Sequence, residues 1–207
     1  MSKPIAFIQW LRPCEYRETR EVLTTYASRT DEIALHNTDT KADVITALAD
    51  HSKDDVCQFL FIGTHGNSTG IGTTTADFMT WAELWNELSR WKAPPVLWLG
   101  ACKSSHCAGA WTPLPSSKCT VQWIVGFATA IYPKEIKNVL ESLVAMTTVS
   151  PITYVDEEIP RIRRDVPGTA VEMFYPAYFD KKHGFLNTDD FTKKLSKDFK
   201  AFLQNQH

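Results

Sequence analysis

The chain has 207 residues and a formal net charge of −2, with hydrophobic residues at 43% and charged residues at 22% of the sequence. These proportions are typical of a folded globular protein and exclude disordered and fibrous classes. The small, evenly spread charge gives no electrostatic reason to expect nucleic acid or a membrane as a direct partner. The length fits a single domain, which we expect to span residues 1–207.

The N-terminal segment and the cysteines indicate a cytoplasmic protein. One short apolar run leads to Arg12, Glu15 and Arg17, so it is too short and too closely followed by charge for a signal peptide. No stretch approaches the length of a membrane span. The five cysteines, at positions 14, 57, 102, 107 and 119, are an odd number that favours free thiols over a disulfide framework.

Strand and helix patterns alternate along the first two thirds of the chain. Short apolar runs predict strands at 5–10, 33–36, 56–63, 96–101 and 121–127. Helical spacing of apolar residues predicts helices at 15–28, 42–50, 81–88 and from about 133 to 144, and the end of the chain has a possible strand at 171–178 and a closing helix at 191–202. Strands that are apolar on both faces and alternate with helices predict a mainly parallel sheet in a three-layer α/β/α sandwich.

Two of the predicted strands end in residue types used for nucleophilic catalysis. The third strand runs into Gly63-Thr64-His65-Gly66, and the fourth runs into Gly100-Ala101-Cys102. Ligand crevices form beyond the carboxyl ends of parallel strands, and neighbouring strands lie about 4.8 Å apart. If these two strands are neighbours, the His65 imidazole and the Cys102 thiol face one crevice.

The residue types at these strand ends suit acyl transfer. A thiolate is the attacking species, and an adjacent imidazole can take the thiol proton and later protonate the leaving amine. Gly66 has no Cβ, so the backbone can approach a substrate closely there. The N–H groups of Gly66 and Cys102 are candidates for an oxyanion hole. His65 and Cys102 are therefore the predicted catalytic pair.

These motifs resemble those of the caspase-like cysteine peptidases, most closely the bacterial CHAT branch. The resemblance rests on FLFIGTHG, on VLWLGAC and on the later VQWIVGFAT…PKEIKNVLESL. It covers the element order from about residue 4 to residue 147 and is specific at 61–66 and 96–102. It implies a sheet in caspase-like order, a His65–Cys102 dyad, an oxyanion hole from the backbones of Gly66 and Cys102, and cleavage of a peptide bond after a preferred residue.

The resemblance also bears on partners and cofactors. Its chemistry needs no metal or organic cofactor, and its substrate is a protein or peptide. Cytosolic proteases must be restrained, so we expect activation by a sensor or regulatory protein, or by processing, within a bacterial antiviral-defence or cell-death pathway. The chain departs from the family in lacking an attached sensor or repeat domain. It also departs in the loop KSSHCAGAWTPLPSSKC that follows Cys102.

Charged residues give weak candidates for substrate recognition. The cluster of Arg161, Arg163 and Arg164 would read an acidic residue of the substrate, whereas Asp77 or Asp156 would read a basic one. Solvated loop charge is the simpler interpretation of each. The cleavage preference stays open, as do the physiological substrate, the oligomeric state and the residue that orients His65.

Two other binding interpretations are weaker than the dyad. A zinc site built from Cys102, His106, Cys107 and Cys119 lacks paired ligand spacing, so we expect no metal. The glycine-rich turn from Gly63 to Gly72 lacks the Lys-Ser/Thr end of a phosphate-binding loop, and a hairpin involving Thr73 to Thr75 is predicted there instead.

Two alternative functions remain beside the peptidase. One is a catalytically silent caspase-like module that binds a partner through its crevice or its tryptophan-rich surface. The other is a cysteine hydrolase or transferase that uses Cys102 on a small acyl substrate.

Overall fold

The structure is a computed structural model that describes residues 5–12, 15, 17, 21, 24–25, 33–53, 59–92, 96–109, 123–132, 135–138, 164, 171–180 and 184–187. Its elements in chain order are β1 Ile5–Trp10, β2 Ile33–Thr38, α1 Lys41–Ser52, β3 Phe59–Thr64, β4 Gly66–Asn67, β5 Gly70–Gly72, β6 Phe78–Thr80, α2 Trp81–Leu88, β7 Val96–Gly100, α3 His106–Gly109, β8 Trp123–Phe127, β9 Val171–Asp180 and β10 Gly184–Asn187. No helix among these residues is long and apolar enough to cross a membrane.

A seven-stranded sheet organises the fold, with strand order β10-β9-β8-β7-β3-β1-β2. The five strands from β2 to β8 in this order are parallel to one another, whereas the pairs β8–β9 and β9–β10 are antiparallel. Strands and helices alternate along the chain, as expected when parallel strands need crossover connections. The predicted α/β class with a mainly parallel sheet is therefore confirmed.

The predicted element boundaries agree closely with the structure at several places. Strand β1 and helix α2 have the predicted limits, while β2 continues two residues beyond the predicted end at His36. Strand β9 runs two residues past the predicted limit, and β10, which the sequence did not indicate, pairs with it. Residues 56–58 and 121–122, most of 15–28, the end of the helix predicted after residue 133, and 191–202 lie outside the described residues.

The central strands bury side chains on both faces because successive residues alternate between the faces. On one face, Ala6, Ile8, Leu60 and Leu99 join a core cluster with the apolar sides of α1 and α2. On the other face, a second set of large side chains is also shielded from water, including Phe7, Phe61 and Trp98. The Phe7 and Phe61 rings pack at 5.5 Å between centroids.

Helices α1 and α2 both begin with a capping box. The Thr40 hydroxyl accepts from the Asp43 N–H, and Thr80 does the same for Glu83, while each carboxylate accepts from the N–H of its threonine. Such caps stabilise a helix by about 1 kcal/mol. The Lys41 ammonium also contacts the Glu83 carboxylate at 2.7 Å, linking the first turns of the two helices. This fixes the two helix starts relative to each other.

A histidine pair joins β2 to the last turn of α1. The Nε2 atoms of His36 and His51 lie 2.9 Å apart, so one nitrogen donates a hydrogen bond and the other accepts it. Burial lowers the pKa of His36, and the nearby His51 lowers it further, whereas Asp50 acts in the opposite direction. The folded protein therefore resists protonation of His36.

We expect this pair to make the fold acid-sensitive. The unfolded chain takes up a proton at His36 near the ordinary pKa of 6.5, but the folded chain does so only at lower pH. Stability therefore falls as the pH drops below 6.5. His36→Gln removes this proton uptake and keeps a polar partner for His51. Thermal denaturation at pH 7.5 and 5.5 should show a Tm loss smaller by a few degrees in the variant. An identical loss in both proteins would contradict the assignment.

Candidate functional site

The strands that lead to His65 and Cys102 are direct neighbours. Strand β3 pairs in parallel with β7, and Gly63 lies opposite Gly100 in the register. His65 and Cys102 each follow two residues later, so both lie at the same edge of the sheet, beyond the carboxyl ends of their strands. The arrangement on which the sequence prediction depended is therefore present.

The two glycines that face each other at this edge make room for an aromatic ring. A Cβ on Gly63 would lie 2.9 Å from the Phe61 ring, and a Cβ on Gly100 would lie 2.7 Å from the same ring. Contacts this short do not occur between real side chains. The glycines before His65 and Cys102 thus serve the packing of Phe61 beneath the site.

Gly66 brings the chain after β3 onto the backbone of Cys102. A Cβ on Gly66 would lie 2.8 Å from the carbonyl oxygen of Cys102 and 2.9 Å from the Cβ of Ala101. Gly66 pairs with Ile71 in a hairpin in which the Gly72 N–H donates to the His65 carbonyl at 3.0 Å. This register puts Gly66 at a non-hydrogen-bonded position, so its N–H is directed away from β5.

We expect Gly66→Ala to disturb the site through this contact. The added methyl group meets the Cys102 carbonyl oxygen, which is backbone and cannot move aside as a side chain would. Overpacking of this kind costs about 1–3 kcal/mol. Chemical denaturation measures the loss of stability, with Ser68→Ala, at an exposed position in the turn of the same hairpin, as the control. A Gly66→Ala variant as stable as the wild type would show that the two backbones are not in contact.

His65 is about half exposed, and its ring contacts a carboxylate from another loop. Its Nε2 lies 3.2 Å from Oε2 of Glu15, and 52% of the His65 side chain is accessible. A side-chain hydrogen bond from Arg12 is the main cause that lowers the Glu15 pKa from 4.5 to about 2, and the bond from His65 adds to it. Glu15 is therefore ionised near neutral pH.

Sequence reasoning missed Glu15 and left the residue beside His65 unassigned. Glu15 follows β1, and β1 pairs with β3 on the side opposite β7, with Trp10 beside Thr64. The loop after β1 is thereby brought next to His65. An acidic residue a few positions after the first strand was the available signal, but it gains meaning only once the strand order is known.

The Cys102 thiol is partly exposed and contacts the loop after β8. The Ile131 N–H donates to Sγ at 3.4 Å, and Sγ lies 3.6 Å from the Ile131 carbonyl oxygen. A thiol can donate to that carbonyl, whereas a thiolate can only accept, as it can from the N–H. The backbone of Ile131 can therefore contact the sulfur in either protonation state.

The segment after Cys102 is tied to β8 by backbone and hydroxyl contacts. The Lys103 N–H donates to the Thr129 carbonyl at 2.9 Å. The buried Ser104 hydroxyl donates to the Leu99 carbonyl at 2.9 Å and accepts from the Phe127 N–H at 3.0 Å. Gly126 allows this approach, because a Cβ there would lie 2.8 Å from the Ser105 nitrogen. Cys102 therefore sits on a turn that β7 and β8 both fix.

Lys103 has the left-handed backbone conformation that makes this turn, with φ at 53°. It is the one non-glycine residue with positive φ in the part of the chain that the structure describes. A left-handed conformation costs an L-residue roughly 1–2 kcal/mol, and it is least tolerated by β-branched side chains. The turn directly after the thiol therefore stores backbone strain.

We expect the two substitutions Lys103→Gly and Lys103→Val to differ for this reason. Glycine adopts the conformation without steric cost, whereas the branched Cβ of valine adds to it. The valine variant should be less stable than the glycine variant by about 1–2 kcal/mol. Urea denaturation of both variants measures the difference. Equal stabilities would show that the backbone at residue 103 is not left-handed in solution.

The predicted substrate-recognition residues are only partly described. The Asp77 carboxylate accepts from the Lys41 N–H at 3.1 Å, so it binds the first turn of α1. Arg164 is described and has an exposed side chain, while Asp156, Arg161 and Arg163 lie outside the described residues. Asp77 therefore has a structural bond to a helix start, and the recognition roles of the other four residues stay predictions.

The glycine-rich turn forms a different structure from the predicted hairpin. Strands β4, β5 and β6 make a small antiparallel sheet, so the strand that follows the turn is Phe78–Thr80. Thr73 to Thr75 instead begin a turn in which the Thr73 N–H donates to the Asp77 carbonyl at 3.1 Å. The Thr74 hydroxyl accepts from the Asp77 N–H at 3.1 Å. Side chain to backbone bonds of this kind favour a turn over a strand.

Of the other candidate ligands for zinc, the two that the structure describes lie in contrasting surroundings. Cys107 is fully buried, and burial raises the pKa of its thiol well above the ordinary value, whereas His106 is exposed. Cys119 lies outside the described residues. Across the described ranges, three or more His, Cys, Asp or Glu side chains nowhere form a group that could bind a metal ion.

No protein-family model matches the sequence, and none of the curated proteins compared with it matches either. The groups at the site are therefore the only guide to its chemistry. An accessible thiol, an imidazole paired with a carboxylate, and nearby backbone N–H groups are the parts that nucleophilic acyl transfer requires.

Proposed function

We propose that the protein is a cysteine endopeptidase of the caspase-like kind, similar to the bacterial CHAT branch. Cys102 is the nucleophile, and His65 is the general base and acid. The observation that carries the proposal is the pairing of β3 with β7, in which Gly63 faces Gly100. Each of the two functional residues follows its glycine by two positions in the sequence. Two residue types needed for one reaction thus meet at one sheet edge.

The reaction begins when the Cys102 thiolate attacks the carbonyl carbon of a peptide bond. The thiol proton passes to His65, and the carbonyl oxygen becomes an oxyanion. His65 then gives the proton to the leaving amine as the carbon–nitrogen bond breaks, which leaves a thioester on Cys102. Water, deprotonated by His65, attacks the thioester, and the proton returns to the sulfur as the acid is released.

The backbone around Gly66 and Cys102 supplies the donors for the oxyanion. The close approach of Gly66 to the Cys102 carbonyl supports this role, since it brings the backbone that follows β3 beside the backbone of the nucleophile. The Gly66 N–H is directed away from β5, so the hairpin does not use it. Removal of one such donor typically slows acyl transfer by about 100-fold or more.

The proposed enzyme has a three-layer fold and acts inside the cell. Large buried side chains on the face that carries Phe7 and Phe61 support a second helical layer, which would complete a three-layer α/β/α sandwich. The resemblance supports a cytoplasmic enzyme that is activated by a partner or by processing. Its proposed setting is bacterial defence against viruses or cell death, with a protein or peptide as substrate.

Cysteine alkylation tests the dyad without a known substrate. Iodoacetamide should label Cys102 near pH 7 about tenfold faster than Cys107, because Cys102 is accessible and burial disfavours the Cys107 thiolate. His65→Ala should slow labelling of Cys102 and leave Cys107 unchanged. Site-resolved mass spectrometry measures both rates in one sample. Labelling of Cys102 that does not depend on His65 would show that the two residues do not form a dyad.

A substrate screen separates the peptidase from its alternatives. We expect the wild type to cleave members of a mixed peptide library, with new termini detected by mass spectrometry and lost in Cys102→Ala. Turnover of a p-nitrophenyl ester without peptide cleavage would favour the small-acyl hydrolase. A reactive dyad with neither activity, including after limited proteolysis to mimic processing, would contradict the endopeptidase.

A further inference from the structure

We propose that Glu15 is the positioning residue of the site, and that it acts by holding one ring nitrogen of His65 while Arg12 holds Glu15. This role rests on the proposed function and assigns the third group that the sequence analysis left open. It names a residue from a different strand of the sheet as part of the same machinery. Three contacts around the Glu15 carboxylate support this role.

Arg12 fixes the Glu15 carboxylate through both its backbone and its side chain. The Arg12 guanidinium contacts Oε1, and the Arg12 backbone N–H donates to Oε2 at 3.2 Å. The Glu15 N–H donates in return to the Arg12 carbonyl at 2.8 Å. These bonds close a short turn after β1. The carboxylate is therefore oriented before it meets the imidazole.

The second oxygen of this carboxylate reaches the imidazole. Oε2 of Glu15 lies 3.2 Å from Nε2 of His65. An ionised carboxylate can only accept, so Nε2 carries the proton of this hydrogen bond. In the neutral ring, Nδ1 is then the basic nitrogen left to exchange a proton with the thiol. Glu15 thus selects one tautomer of His65 and leaves the other nitrogen for chemistry.

The charge of Glu15 also matters during the reaction. When His65 takes the thiol proton it becomes an imidazolium, and a carboxylate beside it stabilises that cation. The hydrogen bonds from Arg12 and His65 keep the Glu15 pKa low, at about 2, so the carboxylate is already charged when the imidazole accepts the thiol proton. Replacement of the carboxylate by an amide removes this charge, and because an amide can either accept or donate, it no longer restricts His65 to one tautomer.

A purely structural role for Glu15 predicts that a folded Glu15 variant labels at Cys102 as the wild type does. The Arg12 side chain is 63% exposed, and pairs between exposed charges contribute little to stability. A second pair of the same kind lies at the end of α2, where Arg90, just after the helix, contacts Glu87 in its last turn at 2.8 Å with the same spacing of three residues. Glu87 therefore provides a matched control that has the arginine partner but no histidine.

The decisive experiment is a double-mutant cycle read by alkylation of Cys102. The rate of iodoacetamide labelling is measured from pH 5.5 to 9 in the wild type, Glu15→Gln, His65→Ala and the double variant. We expect Glu15→Gln to slow labelling at pH 7 by about fivefold and to move the midpoint of the pH profile to higher pH. Labelling follows the thiolate population, and a less stabilised imidazolium lowers that population. In the His65→Ala background, Glu15→Gln should have no further effect.

Two further variants complete the test. Glu87→Gln should label as the wild type does, and Glu15→Asp, which keeps the charge on a shorter chain, should recover part of the lost rate. Far-UV circular dichroism and thermal denaturation establish that each variant is folded. If Glu15→Gln misfolds, the Glu15→Asp comparison carries the test, and an unchanged rate and pH profile in that folded variant counts against the proposal.

The outcomes separate this proposal from the proposed function. If His65→Ala slows labelling and Glu15→Gln does not, the dyad stands and the positioning role is wrong. If Glu15→Gln slows labelling equally with and without His65, Glu15 does not act through the imidazole, and the proposal is again wrong. If His65→Ala itself has no effect, the dyad is wrong and the positioning role falls with it.

Discussion

The parallel pairing of β3 with β7 is the constraint on which the rest of the site depends. It sets Gly63 opposite Gly100 and thereby places His65 and Cys102 at the same edge of the sheet, each two residues beyond the paired glycines. The pairing is compatible with tight packing because both glycines leave space for the Phe61 ring beneath them. A side chain at either position would displace that ring and push apart the ends of the two strands.

The neighbouring strands on each side of this pair lead to the groups that contact His65 and Cys102. Strand β1, beside β3, leads to the turn in which Arg12 holds Glu15 against His65. Strand β8, beside β7, leads to the backbone of Ile131 against the Cys102 sulfur. Four adjacent strands thus each contribute one contact to the same edge, which is where helix starts and loops converge in a parallel sheet.

The site also combines rigid and accessible parts. The turn after Cys102 is fixed by the buried Ser104 hydroxyl, which bonds to β7 and β8, and by the strained backbone of Lys103. Strain of this sort persists only where surrounding contacts determine the conformation. His65, in contrast, is half exposed and contacts Glu15 in a partly exposed pair. The proposed nucleophile is therefore supported more firmly than the proposed base, whose contact with Glu15 is partly open to solvent.

The sequence by itself determined the alternation of strands and helices, the parallel character of the sheet and the candidates His65 and Cys102. These follow from local signals, because apolar runs, helical spacing and a residue's position after a strand are all visible along the chain. Only the tertiary structure decided that β3 and β7 are neighbours, that β1 brings Glu15 to His65, and that Gly70–Gly72 pairs with Phe78–Thr80. The physical reason is that strand order and turn hydrogen bonds arise between segments that are distant in sequence, and no local pattern encodes which segments meet.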